Sequence, residues 1–301
     1  MTSRQVVARV GEKLGESKVG HTGTLDPLAT GVLVVCLGRA TLLSRYVSGR
    51  PKVYRLVALL GIETDTYDID GRVTARGEAG RLGAADIKRE IKRFEGEILQ
   101  KPPAYSAVKH RGKPLYYYAR RGITVEPGLR EVSIDRIELT SFSVTDSGPL
   151  VGMEITCGPG TYVRSFVHDL GRELGCGACV HELRRIRSGR FSEESAVRLD
   201  LILSMAPEEA FSSLLSLEWC TDELPTVVAT EEGSRAAALG APLRLDQLCT
   251  GLKPVGVGEV FRVLDGDRRL LALYGPPRSG DDTEIIGRPV RVIRPMAVGA
   301  L

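Results

Sequence analysis

No apolar run in this 301-residue chain comes near the roughly 20 residues needed to cross a bilayer. The longest, Val32–Leu37, has the length of a buried strand. Met1–Gly15 lacks the continuous apolar stretch of a secretory signal. Membrane insertion and secretion are therefore not expected, and a cytoplasmic location is. Cysteine is also sparse: six residues, at 36, 157, 176, 179, 220 and 249, are too few to staple a chain of this length. Only Cys176 and Cys179 make a C-x-x-C pair. His181 supplies a third candidate ligand, but no second pair has finger spacing, whereas a zinc site needs about four ligands. The thiols read as reduced core or surface residues, with a metal site as a remote alternative.

Several nucleotide and hydrolase signatures are missing as well. The chain has no G-x-x-x-x-G-K-[ST] and no G-x-S-x-G. The Cys176 region lacks the layout of zinc-dependent base deaminases. Asp65–Gly71 looks like a calcium loop, but the register puts Thr66 at the first ligand position and Gly77 where a bidentate glutamate is required. It reads as a hairpin turn.

The 43% hydrophobic content is enough for a core, and the length suits about two domains. Charge is unevenly distributed. The net charge is +3, yet residues 193–246 carry eleven acids and three bases, which leaves the remainder at +11. One basic block is Lys109, Arg111, Lys113, Arg120 and Arg121, with Tyr105, Tyr116, Tyr117 and Tyr118 interleaved or close by. A second is Arg184, Arg185, Arg187 and Arg190. Cations release counterions from phosphates and tyrosine faces stack on bases, so nucleic acid is a candidate partner. Either block alone would read as ordinary solvated surface.

Periodicity predicts a helix over 3–14 with Val6, Val7, Val10 and Leu14 on one face, and another over Ala84–Phe94. Strands are predicted at Val32–Leu37, Val53–Leu60, Val132–Val144 and Leu150–Thr156. A helix capped by Thr161 follows, with Val163, Phe166, Val167, Leu170 and Leu174 facing inward. Pro207–Trp219 reads as a helix, and from Leu224 onward short strands alternate with turns.

The loop Gly20-His-Thr-Gly-Thr-Leu-Asp-Pro-Leu-Ala-Thr-Gly31 stands out. Pro27 pushes Asp26 into an extended conformation, and glycines allow close backbone approach. Such a loop holds one carboxylate rigidly, either as a catalytic group or as a helix cap. Continued by Val32–Gly38, Ala40 and Thr41, the string closely resembles the signature of the TruB family of bacterial tRNA pseudouridine-55 synthases. Val53-Tyr-Arg-Leu, Thr64–Gly71, Pro102–Lys109, Cys157–Arg164, Gly175–Ala178 and Leu183-Arg-Arg185 match in order. The resemblance covers residue 2 to about 200 and is weaker beyond.

The resemblance implies isomerisation of uridine to pseudouridine in the TΨC loop of tRNA, with no cofactor and no metal. Positive charge develops near the sugar as the glycosidic bond breaks, so an ionised carboxylate suits the chemistry. By position, Asp26 is the catalytic aspartate and Arg164 its ion-pair partner. Tyr54 is the tyrosine that stacks on the target base near C5. Tyr162 and Leu183 line the pocket, and His21 fills the gap left by the flipped uridine. Lys109, Arg111 and Lys113 are candidate RNA contacts, as are Arg288, Arg291 and Arg294 near the C-terminus. A non-catalytic tRNA-binding protein on the same fold is the competing class, and the retained Asp26, Tyr54 and Arg164 argue against it.

The implied fold is α+β: a pseudouridine synthase core over 1–210 with a mixed, mainly antiparallel sheet flanked by helices, then a small β-rich PUA-like RNA-binding domain over 222–301. The T-arm of tRNA is the expected partner, with no membrane and no obligate protein partner. Relatives usually open with a strand and a Lys-Pro-x-Gly-x-Thr-Ser segment, whereas this chain starts Met1-Thr2-Ser3. An upstream strand that would cover the apolar face of the first helix is expected from that difference.

Overall fold

The computed structural model describes residues 1–249 and 259–294. Two compact units emerge, and neither is contiguous in sequence. The first comprises Met1–Gln5, Gly23–Val34 and Ser48–Ala196; the second comprises Val6–Thr22, Val35–Val47 and Val197–Leu301.

The first unit is built on a seven-stranded sheet. Its strands are β1 (Thr30–Gly31), β2 (Lys52–Leu60), β3 (Gly96–Gln100), β4 (Arg130–Thr145), β5 (Gly148–Cys157), β6 (Ala178–Ser188) and β7 (Phe191–Ser192). Their order is β7-β6-β2-β5-β4-β3, with β1 running parallel beside β6 and every other pair antiparallel. β2 is central for a reason visible in its residues. Lys52, Tyr54, Leu56 and Ala58 alternate inward while Arg55 is exposed on the other face, and only Ala58, Leu59 and Leu60 at its end are buried in succession. Helix α1 (Ala84–Ile91) buries Ile87 and Ile91, and helix α2 (Val163–Glu173) buries Val163, Phe166, Val167 and Leu170. These side chains join Leu56, Ile134, Met153 and Ile155 in one core.

The second unit holds a five-stranded sheet of β8 (Thr226–Val228), β9 (Leu243–Arg244), β10 (Phe261–Leu264), β11 (Leu270–Gly275) and β12 (Ile285–Val292), ordered β8-β10-β11-β12-β9. Helix α3 (Glu231–Leu239) packs on it, capped by the Thr230 hydroxyl accepting from the Gly233 amide at 3.2 Å. The chain's first helix, Ser3–Lys13, presents Val10 to a cluster with Leu14, Ala210, Val35, Leu37 and Met205, so part of its apolar face is covered by this chain's own residues.

Three local expectations are corrected. Thr161 does not cap α2. Tyr162 holds the N-cap position without a side-chain bond, while the Thr161 hydroxyl donates to the Ser133 carbonyl at 3.2 Å. The helix expected over Pro207–Trp219 breaks into Pro207–Ser212 and Leu217–Cys220, since Leu214 and Leu215 are exposed and no apolar face carries the middle. Arg184, Arg185 and Arg187 of the second block lie on β6, with Arg190 just beyond it, and they are not one basic surface. Strand alternation turns Arg185 inward beside Leu183, while Arg184 and Arg187, the latter past a bulge, stay outside.

Gly31 shows how tightly the Asp26 loop meets the sheet. Its φ is +96°, and a Cβ built there would stand 2.1 Å from the Arg185 carbonyl oxygen. Gly31→Ala is expected to cost about 2 kcal/mol or more through left-handed strain and overpacking. Urea unfolding would read the loss as a lower midpoint at unchanged slope.

Candidate active site

Asp26 is held by backbone and side chain at once. The Ala29 amide donates to the Asp26 carbonyl at 2.9 Å, closing a turn over Pro27. One residue earlier, the Leu25 amide donates to the Ser3 hydroxyl at 2.9 Å, and that hydroxyl donates back to the Leu25 carbonyl at 3.2 Å.

The partner of Asp26 comes from the first turn of α2. Gln100 grips the helix start, donating to the Tyr162 carbonyl at 3.0 Å and accepting from its amide at 2.8 Å. Arg164 follows two residues later and is 3% exposed. Its Nε and Nη2 donate to the two carboxylate oxygens of Asp26 at 2.9 and 2.8 Å, a bidentate fork. Nη2 also reaches the Tyr105 carbonyl at 2.9 Å, and Nη1 donates to the Thr66 carbonyl at 2.9 Å. A second carboxylate, Asp68, lies 3.4 Å from Nη1. The buried guanidinium thus finds partners on both Nη groups and on Nε, which removes the main penalty of burying it. Two acids share one base, and only Asp26, at 30% side-chain exposure, opens outward.

Burial pushes the Asp68 carboxyl above the ordinary range, against the Thr66 hydroxyl, which donates to it at 2.6 Å, and the charge of Arg164. The turn over 65–71 does join a hairpin, Ile62–Thr64 with Val73–Arg76. Nothing in its sequence signals that it also delivers Thr66 and Asp68 to Arg164.

Tyr54 lies on β2 and belongs to the same core as Leu183 and Val163. Burial raises its phenol pKa; the Arg185 guanidinium beside it acts in the opposite direction, and Cys157 and Asp26 add smaller upward pulls. The Tyr162 hydroxyl is likewise raised, first by burial, with Asp26 and Arg164 within electrostatic reach. Leu183, on β6, is buried opposite Leu56. The first unit therefore gathers Asp26, Arg164, Tyr54, Tyr162 and Leu183. His21 falls in the second unit, on the short strand Val19–His21 paired with Val35–Leu37.

Lys109, Arg111 and Lys113 form a separate small feature, a hairpin of Lys109–His110 with Lys113–Pro114. Arg111 occupies its turn at φ +46° and is exposed. Lys113 lies 4.3 Å and Arg121 3.6 Å from the Tyr117 ring centroid, and Arg120 lies 5.4 Å from that of Tyr116. The Lys113 ammonium donates to the Tyr117 hydroxyl at 3.0 Å, and this bond, followed by the Arg121 charge, draws the phenol pKa down. The interleaving of tyrosine and cation along the sequence is a stacked surface in space.

With this geometry in place, two family models match the chain. The model of the TruB family pseudouridylate synthase N-terminal domain covers residues 11–163, and that of the tRNA pseudouridylate synthase B C-terminal domain covers 164–217. The chain belongs to the TruB family. A tRNA pseudouridine synthase B from Syntrophotalea carbinolica is 38% identical, across 93% of this chain and 90% of that protein. Another, from Desulfotalea psychrophila, is 44% identical across 72% and 90%. Among solved structures, one titled as a Cbf5-Nop10-Gar1 complex superposes with a TM-score of 0.75 at 27% identity, covering 98% of this chain and 82% of its counterpart. The α+β architecture with a second β-rich unit is the architecture expected of a TruB-family protein. Among the described residues, no helix is long and apolar enough to cross a membrane.

Proposed function

We propose that the chain isomerises uridine to pseudouridine at position 55, in the TΨC loop of tRNA, with Asp26 acting at the ribose. The observation that carries the reading is the bidentate Asp26–Arg164 pair, its guanidinium buried and its carboxylate partly open. A uracil extruded from the T loop costs a few kcal/mol of unstacking, which contacts to the RNA backbone offset. Asp26 then faces the positive charge that develops at C1′, and its alignment is fixed before substrate arrives. Tyr54 and Leu183 flank the base as it turns. The proton lost from C5 is balanced by the one gained at N1, so the reaction is closed with respect to protons.

In the same reading residues 1–210 are the catalytic domain, 222–301 a PUA-like RNA-binding domain, and the enzyme acts in the cytoplasm without an obligate protein partner. Arg288 and Arg294 would contribute phosphate contacts by exchanging their internal partners, Asp281 at 2.9 Å and Glu218 at 3.1 Å. Arg291, whose Nη1 donates to the Val290 carbonyl at 2.7 Å, is the third candidate.

The direct experiment uses unmodified tRNA transcribed with uridine tritiated at C5. Joining C5 to C1′ releases that tritium to water, and stoichiometric release from the T loop alone is expected. No release, or release from other loops only, overturns the proposal.

The RNA surface has its own test. Changing Arg111, Lys113 and Arg121 together to alanine should weaken tRNA binding and flatten its salt dependence, each lost phosphate contact lowering the log–log slope by about 0.7–0.9. An unchanged slope would return the tyrosine–cation stack to ordinary solvated surface.

A further inference from the structure

Arg185 is the largest fully buried side chain among the described residues, at 1% exposure. A guanidinium so deep is costly unless its donors are spent, and here they are spent on one loop. Nε donates to the Val32 carbonyl at 2.8 Å, Nη2 to that of Gly23 at 3.0 Å, and Nη1 to that of Thr24 at 3.4 Å. Its backbone joins in: the Val32 amide donates to the Arg185 carbonyl at 2.8 Å. These contacts bracket Asp26 on both sides in sequence. Arg185 also sits on β6 directly opposite Tyr54 on β2. These partners are backbone carbonyls, unlike those of Arg164, whose fork closes on a carboxylate. Lys52, two residues before Tyr54 on the same face of β2, places a second cation near Arg185; its ammonium donates to the Ser48 and Arg50 carbonyls at 3.0 Å each.

We propose that Arg185 is a positioning residue for the isomerisation, a fork that fixes the Asp26 loop and the Tyr54 ring in one mutual geometry without touching the RNA. This rests on the functional reading above and adds to it a residue that acts through two others. The physical reason is that the reacting nucleotide must meet, at its ribose, a carboxylate from a loop and, at its base, a phenol from a sheet. The loop's hydrogen bonds to Ser3 and within the turn do not reach β2, and its strand β1 pairs with β6 rather than with β2, so the Asp26–Tyr54 spacing keeps some freedom. A single rigid guanidinium that binds both ends of the loop and faces the phenol removes that freedom. Its charge and donors also temper the rise that burial imposes on the Tyr54 hydroxyl, with Cys157 and Asp26 as the other ionisable groups facing it.

The test compares Arg185→Gln and Arg185→Lys with the wild-type chain, in tRNA binding, single-turnover tritium release and thermal unfolding. A misplacement of about 1 Å costs on the order of 100-fold in rate, so a loss of about that size is expected for Arg185→Gln with Kd unchanged. Arg185→Lys keeps the charge but cannot fork, and should recover about tenfold of the loss. A merely structural role predicts something else: assayed well below its melting temperature, the folded variant would regain wild-type turnover. That result, a turnover near wild type in either variant, or a loss confined to Kd would each overturn the proposal. If Arg185→Gln does not fold, Arg185→Lys decides alone, and wild-type turnover there sinks it. Wild-type release of tritium with loss in Asp26→Asn separates failure of this inference from failure of the functional reading, which would leave the wild type itself inactive.

Discussion

Asp26→Asn is expected to leave the fold and tRNA affinity close to wild type while lowering turnover at least about a thousandfold, since one preorganised charge acting on a developing opposite charge is worth about 4 kcal/mol. The fold survives because Asn is isosteric and keeps one oxygen for the Arg164 fork, and because Arg164 retains Asp68, Thr66 and Tyr105 as partners. Affinity survives because the proposed RNA-facing cations lie on the hairpin at 109–114, on the segment that follows it to Arg121 and beyond, not at Asp26. What the amide lacks is the negative charge at C1′. Single-turnover tritium release with a filter-binding measurement of Kd checks both halves. Turnover within a factor of ten of wild type would remove Asp26 from the chemistry.

The residues behind that expectation are legible in the sequence only in part. Pro27 and the surrounding glycines draw the eye to Asp26 but fit a helix cap as well as a catalytic group, and Arg164 is singled out only by the family resemblance, since helix periodicity alone reads it as a surface arginine. Alternation makes β2 visible, with Tyr54 on the same buried face as Leu56 and Ala58. β6 is not visible, because its arginines read as solvent-facing charge. A buried arginine spends its donors on carbonyls distant in sequence, here residues 23, 24 and 32, and no local pattern records that. Thr66 and Asp68 are hidden for a related reason: a hairpin turn rich in acids looks the same whether or not a guanidinium lies behind it. The division of the chain is harder still. Residues 6–22 and 35–47 pack with the C-terminal part, a partition set by contacts between distant segments.

Arg164→Met should be the most destabilising of these changes as well as inactive. Methionine fills the volume but leaves two carboxylates near each other, one of them buried, without their shared cation. Removing one partner of a buried ion pair costs about 3–5 kcal/mol, and at about 2–4 °C per kcal/mol for a domain of this size the melting temperature should fall by roughly 10 °C. The pH dependence carries the sign. Asp68 is already above the ordinary carboxylate range in the folded state, by burial, and loss of Arg164 removes one of the two influences that hold it down. A carboxyl whose folded pKa exceeds its unfolded one binds more protons when folded, so stability falls as pH rises through that window. The deficit of Arg164→Met relative to wild type should therefore be largest at neutral and alkaline pH and shrink on acidification toward the raised pKa of Asp68. In the double variant Arg164→Met, Asp68→Asn the pH-dependent part should vanish while turnover stays lost, because Asp26 would still lack its fork. A deficit independent of pH would mean that Asp68 is not ionised beside Arg164, and the two-acid, one-base arrangement would have to be redrawn.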